Sequence, residues 1–220
     1  MRKALVILSG GQDSTTCLFW AIDRFGRENV SAVGFDYGQR HKLELECAEE
    51  ICKGEGIEYE VIPTPIINDL SPSSLTREDI PVEETKPQGT PPNSLVEGRN
   101  MLFITYAAIY AKMRGITDLV TGVCQTDFSG YPDCRDVFIK SLNVTVNLAM
   151  DYEFVIHTPL MWLDKSQTWE MADKLGVMDV IYNKTLTCYN GVKGEGCGRC
   201  PACFLRKRGY IQYMEKKSNV

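Results

Sequence analysis

Two short stretches of this 220-residue chain carry residue types whose spacing suits chemistry. Near the start, Ser9-Gly10-Gly11-Gln12-Asp13-Ser14 follows directly on an apolar run from Ala4 to Leu8. A buried strand, a glycine-rich turn and a helix N-terminus in that order aim several backbone N–H groups at one anion. Glycine lets the backbone approach closely, the Ser9 and Ser14 hydroxyls can donate to phosphate oxygens, and Asp13 can hold Mg2+ or orient the loop. The expected phosphate-binding segment runs from Leu8 through Thr15, Thr16 and Cys17 to Leu18. It lacks the lysine of G-x-x-x-x-G-K-[ST] and is not G-x-G-x-x-G, so neither common nucleotide cradle applies.

The second stretch is near the C-terminus. Cys188 is followed after eight residues by Cys197, then Cys200 and Cys203 at intervals of two residues, with Gly191, Gly194, Gly196 and Gly198 between them. Four thiolates so spaced can close a tetrahedron around one Zn2+, a full sphere with no open position for water, and hence a structural metal. An iron–sulfur cluster and a redox pair at Cys200 and Cys203 are the competing readings; the pair lacks a thioredoxin-like strand-to-helix context. Arg199, Arg206, Lys207 and Arg208 beside the cluster are expected to form a solvated helix face. The remaining cysteines, Cys17, Cys47, Cys52, Cys124 and Cys134, are scattered and expected to be mainly small buried hydrophobes.

A third segment, Thr121 to Arg135, follows a predicted strand at the edge where parallel sheets bind ligands. Asp127 and Asp133 can accept from an amidine-like N–H edge such as guanine's, Phe128 or Tyr131 can stack on a flat base, and Arg135 can pair with a carboxylate. Gly130-Tyr131-Pro132-Asp133 also makes an ordinary turn, and Asp133 can instead cap the next helix.

The elements that must position these residues alternate between strand and helix patterns, which predicts a parallel sheet covered by helices on both faces. Strands are expected at residues 3–8, 30–35, 58–62, 118–123 and 154–157. Helices are expected from Asp13 or Ser14 to about Phe25, and over 42–53, 100–114, most of 133–150, 164–175 and 205–216. Residues 63–93 show neither period and read as a long loop, with a lid as the favoured role. The division expected is an α/β domain at 1–180 and a zinc-binding segment with a last helix at 181–220.

A net charge of -5 argues against tracking a nucleic-acid backbone, so direct nucleic-acid binding is not expected. The first apolar run is too short for a signal-peptide core and no later stretch is long enough to span a membrane, which places the protein in the cytoplasm. The only histidines, His41 and His157, suggest no Ser-His-Asp or Cys-His set.

The pattern S-G-G-x-D-S after a first strand resembles the N-type ATP pyrophosphatase superfamily, which includes NAD synthetase, the amidating domain of GMP synthetase and tRNA-thiolating enzymes. Together with Phe35-Asp36-Tyr37-Gly38-Gln39-Arg40-His41, Gly98-Arg99-Asn100, the Asp127–Arg135 loop, Thr158-Pro159-Leu160-Met161-Trp162 and Leu186-Thr187-Cys188-Tyr189-Asn190-Gly191, it resembles the 7-cyano-7-deazaguanine synthase family over essentially the whole chain. One departure is Glu97, where that family's pattern has proline.

The resemblance implies a Rossmann-like, adenine nucleotide alpha hydrolase-like fold. It implies a carbon–nitrogen ligase that turns 7-carboxy-7-deazaguanine, ammonia and ATP into the nitrile used in queuosine biosynthesis. ATP, Mg2+ and one structural Zn2+ would be the cofactors, free ammonia the nitrogen source and a homodimer the assembly. Asp13, Ser14, Arg99 and Lys165 would do the chemistry, the first two within the ATP loop. Tyr37, Gln39 and Arg40, then Arg99 and Asn100, then Asp127, Phe128, Tyr131, Asp133 and Arg135 would hold the substrate. A tRNA-thiolating enzyme using Cys124 or Cys134, a non-catalytic zinc ribbon and a ligase halting at the amide are the alternatives.

Overall fold

A computed structural model describes residues 2–83, 92–126 and 131–219. Five strands, β1 (Ala4–Ile7), β2 (Val30–Asp36), β3 (Glu58–Pro63), β4 (Asp118–Val120) and β5 (Val155–His157), form one sheet in the order β3-β2-β1-β4-β5. Every pairing is parallel. The central strand shows why both faces must be covered: Ala4, Val6 and Leu8 enter one apolar cluster, and Leu5 between them enters the other.

On the first face pack α1 (Gln12–Phe25), through Cys17, Leu18 and Ala21, and α2 (Leu43–Glu55), through Ala48, Ile51 and Cys52. On the second pack α4 (Arg99–Lys112), through Ile104, Ala107, Ala108 and Ala111, and α5 (Asp136–Met150), through Ile139, Leu142 and Val146. The predicted doubly covered sheet is therefore present. Strand β3 lies at an edge and carries exposed Glu58 and Glu60, charges that discourage further pairing.

Helix α6 (Lys165–Lys174) starts at a capping box: the Asp164 carboxylate accepts from the Gln167 N–H, and the Gln167 side chain accepts from the Asp164 N–H. Helix α8 (Pro201–Ser218) packs along α6, and Gly209 permits the contact, since a Cβ there would lie 2.6 Å from Lys165 Cβ.

Several expectations need correction. Residues 63–93 are not wholly loop: α3 (Ile66–Leu70) lies within them, and α7 (Met178–Lys184) was not anticipated at all. Both are too short for their own periodicity to stand out. Strand β4 ends at Val120 rather than Val123, a 3-10 turn at Pro132–Cys134 precedes α5, and α8 begins at Pro201 rather than Leu205. Ser73, Ser74 and Thr76 are buried, Ser74 N–H donates to Asn93 O at 2.9 Å, and Arg40 N–H donates to Leu75 O at 2.8 Å. The described part of that excursion is thus packed on the body. Glu97 N–H donates to Ser71 Oγ at 2.8 Å, a bond that proline could not make.

Candidate active site

The strand order reverses at β1, whose neighbours are β2 and β4, and ligands bind beyond the carboxyl ends of strands at such a switch point. A cleft of about 300 Å3 opens there. The Ser9–Ser14 loop forms its floor, running from β1 into α1. Gly10 adopts a positive φ of 80°, and a Cβ on it would lie 2.0 Å from the Glu44 carbonyl oxygen. Ser9 Oγ and Ser14 Oγ lie 3.1 Å apart, and Ser9 N–H donates to Ser14 Oγ at 3.2 Å. The loop thus brings the hydroxyls of its first and last residues together.

Two segments far away in sequence hold this floor. Leu186 N–H donates to Gly10 O at 2.9 Å, and Thr187 Oγ1 accepts from Gln12 N–H at 3.2 Å. Thr187 is in turn fixed by Arg206, whose Nη1 donates to Thr185 Oγ1 and Thr187 Oγ1, both at 2.8 Å, while Nη2 donates to the carbonyls of Ile181 and Tyr182. Arg206 is only 5% exposed, which corrects its assignment to a solvated face; Arg199, Lys207 and Arg208 are exposed. Lys165, at the start of α6, donates from Nζ to both oxygens of Asp13, at 2.8 and 2.7 Å.

The opposite wall is aromatic and cationic. Arg99, in the first turn of α4, lies over the Tyr37 ring and donates to its hydroxyl at 3.4 Å. Burial acts to lower the Arg99 guanidinium, but Tyr37 and Tyr131 beside it raise it by more, so it stays charged. Burial pushes the Tyr37 phenol up to about 12, although Arg99 opposes this. Tyr131 meets Ser94 Oγ at 2.8 Å. Phe35 and Phe103 stack at 4.4 Å in the same wall. The His41 imidazole is lowered by burial and then by Arg40, and its Nε2 has no hydrogen-bond partner among the described residues.

Of the residues expected from sequence, Leu8, Ser9, Gly11, Gln12, Asp13, Ser14, Tyr37, Gln39, Arg40, Arg99, Asn100, Tyr131 and Lys165 line the cleft. Gly10, Thr15, Thr16, Cys17 and Leu18 stand behind it, shaping the loop or filling the core. Asp133 is buried off the cleft, where its two oxygens accept from Asn100 N–H at 2.9 Å and Asn100 Nδ2 at 3.1 Å. It therefore serves the start of α4, not the helix that follows it. Arg135 is exposed and outside the lining, and Asp127 and Phe128 lie outside the described residues.

Cys17, Cys47 and Cys52 are buried as expected. Cys124 and Cys134 instead line the cleft; burial, then Asp133, pushes the Cys134 thiol up to about 12.

Sequence reasoning missed Glu44, Gln12 as a buried side chain without a hydrogen-bond partner among the described residues, and Arg206. Only Arg206 had a readable signal: it follows Cys203 by three residues and so shares that ligand's helix face.

The sulfurs of Cys188, Cys197, Cys200 and Cys203 all lie within 4.8 Å of one another. Zn–S bonds of about 2.3 Å need sulfurs about 3.8 Å apart, so the set fits one ion after slight contraction. Asn190 N–H donates to Cys188 Sγ at 3.3 Å and Cys200 N–H to Cys197 Sγ at 3.4 Å, bonds that favour thiolates. Cys188, Tyr189, Ala202 and Leu205 also line the cleft, so this segment is one of its walls.

A parallel sheet with a glycine-rich strand-to-helix loop beneath a cleft at its switch point defines an α/β protein of the nucleotide-binding class. The chain belongs to the family described as "Queuosine biosynthesis protein QueC", which it matches over residues 3–214. A 7-cyano-7-deazaguanine synthase of Clostridium acetobutylicum is 63% identical over 212 residues, covering 96% of this chain and 95% of that one. One of Clostridium novyi is also 63% identical, over 97% of this chain and 96% of its own. A solved NH3-dependent NAD synthetase of Campylobacter jejuni is 18% identical, covers 81% of this chain and 66% of that one, and has a TM-score of 0.43. No helix among the described residues is long and apolar enough to cross a membrane.

Proposed function

We propose that this protein converts 7-carboxy-7-deazaguanine and ammonia into 7-cyano-7-deazaguanine for queuosine biosynthesis, cleaving ATP to AMP and pyrophosphate, and so acts as a carbon–nitrogen ligase. The observation that carries the reading is the Asp13–Lys165 pair over the Ser9–Ser14 loop, facing Arg99 across one cleft. The shared names of relatives at 63% identity support the product.

A carboxylate does not react with ammonia in water because its leaving group would be oxide, so it must first be activated. The substrate carboxylate, drawn by Arg99, attacks the α-phosphate of ATP while the loop N–H groups and the Ser9 and Ser14 hydroxyls receive the departing pyrophosphate. Lys165 neutralises charge and holds Asp13. Mg2+ would be held chiefly by phosphate oxygens, because Lys165 already engages both oxygens of Asp13. Ammonia then displaces AMP to give the amide, whose oxygen is adenylated in the same way before AMP leaves and the nitrile forms. Tyr37, Gln39, Arg40, Asn100 and Tyr131, with Asp127 and Phe128, would hold the flat base; Asp133 and Arg135 would act from outside the cleft.

The four cysteines would bind one Zn2+ that keeps the C-terminal wall folded, on a segment at 181–220 built onto an α/β unit at 1–180. A cytoplasmic homodimer completes the reading, supported by the uncharged exposed residues Val137, Val144 and Leu148 on α5. The test is incubation with 7-carboxy-7-deazaguanine, ammonium and Mg-ATP, with the base identified by mass spectrometry and the nucleotide by chromatography. Nitrile with AMP is the expected result. Amide alone would remove the dehydration step, and untouched substrate with a folded protein would reject the reading.

A further inference from the structure

Glu44 has no part in the mechanism above, yet its side chain lines the same cleft as the phosphate loop. It stands in the first turn of α2, whose backbone presses on Gly10 so closely that no Cβ fits between them. The position of the carboxyl is thereby tied to the loop. Its Oε1 accepts from Gln39 Nε2 at 3.2 Å. Gln39 is itself locked, because its Oε1 accepts from Tyr37 N–H at 2.9 Å and its Nε2 also donates to Phe35 O at 3.2 Å.

The groups that face Glu44 come from three other elements: Arg99 on α4, Tyr37 just beyond β2 and Tyr59 on β3. The other lining carboxylate among the described residues is Asp13, and its oxygens are occupied by Lys165. His41 also lines the cleft, as do Arg40 and Tyr131.

The nitrogen chemistry requires a proton acceptor in this place. When ammonia adds to the acyl-adenylate, a C–N bond forms, the C–O bond to AMP breaks with its electron pair leaving on AMP, and the cationic nitrogen must shed a proton. After the amide oxygen is adenylated with loss of pyrophosphate, the nitrogen carries two protons and the product carries none. One leaves as the cation is neutralised, the other as the second C–O bond breaks and AMP departs with that pair.

The geometry points to Glu44 as the group that accepts these nitrogen-bound protons, passing each to water before the next. This rests on the functional reading above. Burial pushes the Glu44 carboxyl up to about 7, against the opposing pull of Arg99 and of the Gln39 bond. A base so poised can both take and release a proton near neutral pH. Since only the carboxylate accepts, the rate rises with pH through that value.

The experiment compares wild type with Glu44→Gln, Glu44→Asp and Gln39→Met, measuring ATP–pyrophosphate exchange driven by 7-carboxy-7-deazaguanine alongside nitrile formation from pH 5.5 to 9. Glu44→Gln is expected to keep the exchange, lose about 10²–10⁴-fold in nitrile formation and lose the acidic limb of the profile. Glu44→Asp keeps a carboxyl and is expected to restore part of the rate with the limb intact, which a packing defect would not do. Gln39→Met removes a bond that favours the carboxylate and is expected to move the limb to higher pH. Wild-type-like rates and limb in Glu44→Gln, a raised KM with unchanged kcat, or loss of the limb in His41→Gln alone would each overturn the assignment. Wild type making no amide or nitrile would instead remove the functional reading and this inference with it.

Discussion

Lys165 and Asp13 are 152 positions apart in the chain and meet as a two-point ion pair, with Nζ 2.8 and 2.7 Å from the two carboxylate oxygens. The ammonium is 8% exposed and the carboxylate about one third, so the pair sits at the lip of the cleft rather than inside the core. Helix α6 brings the lysine there because its capping box fixes the first turn and Gly209 of α8 leaves room behind it.

Lys165→Met should therefore separate activity from stability. AMP release is expected to fall about 10²–10³-fold, the usual loss when one preorganised electrostatic contact is removed. Methionine spares the desolvation of the buried ammonium and leaves Asp13 about one third exposed to water, so unfolding free energy should change by only about 1 kcal/mol. Initial rates and urea denaturation on the same preparation check both halves.

Arg206 predicts the reverse weighting. Arg206→Met leaves the part-buried Tyr182 carbonyl without this donor and the Ile181 carbonyl with Thr185 Oγ1 alone, and should cost about 2–3 kcal/mol in urea unfolding. Thr187→Val removes the acceptor shared by Gln12 N–H and Arg206 Nη1, should cost about 1–2 kcal/mol, and should raise KM for ATP more than it lowers kcat.

The thiol-transfer alternative has a direct test in Cys134. With its thiol pushed up to about 12, it should resist iodoacetamide at neutral pH while the protein is folded. Cys124→Ser and Cys134→Ser should each keep nitrile formation within about threefold of wild type. A loss of activity in either would return sulfur carriage to consideration.

Elemental analysis should find one zinc per chain, and Cys203→Ser should abolish it with a fall in Tm of about 10 °C. Zinc should dissociate as pH falls, because the ligands bind as thiolates and protons compete for them. Circular dichroism melts with and without chelator measure the coupling.

The residues easiest to read from sequence were those whose chemistry is local. Ser9–Ser14 announces itself because strand, glycines and helix are consecutive, and the four cysteines because their spacing is short. Lys165 was named, but its partner required the fold. Glu44 looked like any acid in the run Leu43-Glu44-Leu45-Glu46, and only the contact of α2 with Gly10 turns it into the cleft. Asp133 was read as a possible base reader because its role depends on Asn100, a residue of another element. Arg206 sits in a basic run, and only its place three residues after Cys203 sets it apart as the buried member.

The bonds from Leu186 to Gly10 and from Thr187 to Gln12 have a consequence for synthesis on the ribosome. The loop's own sequence emerges well before the groups that brace it at positions 186 and 187, and Arg206, which fixes Thr187, follows later still. A nascent chain that has not yet reached residue 186 carries every residue of the Ser9–Ser14 loop without the bonds that hold it. The loop therefore reaches its final shape only after Arg206 has been made, about two hundred residues after the loop itself.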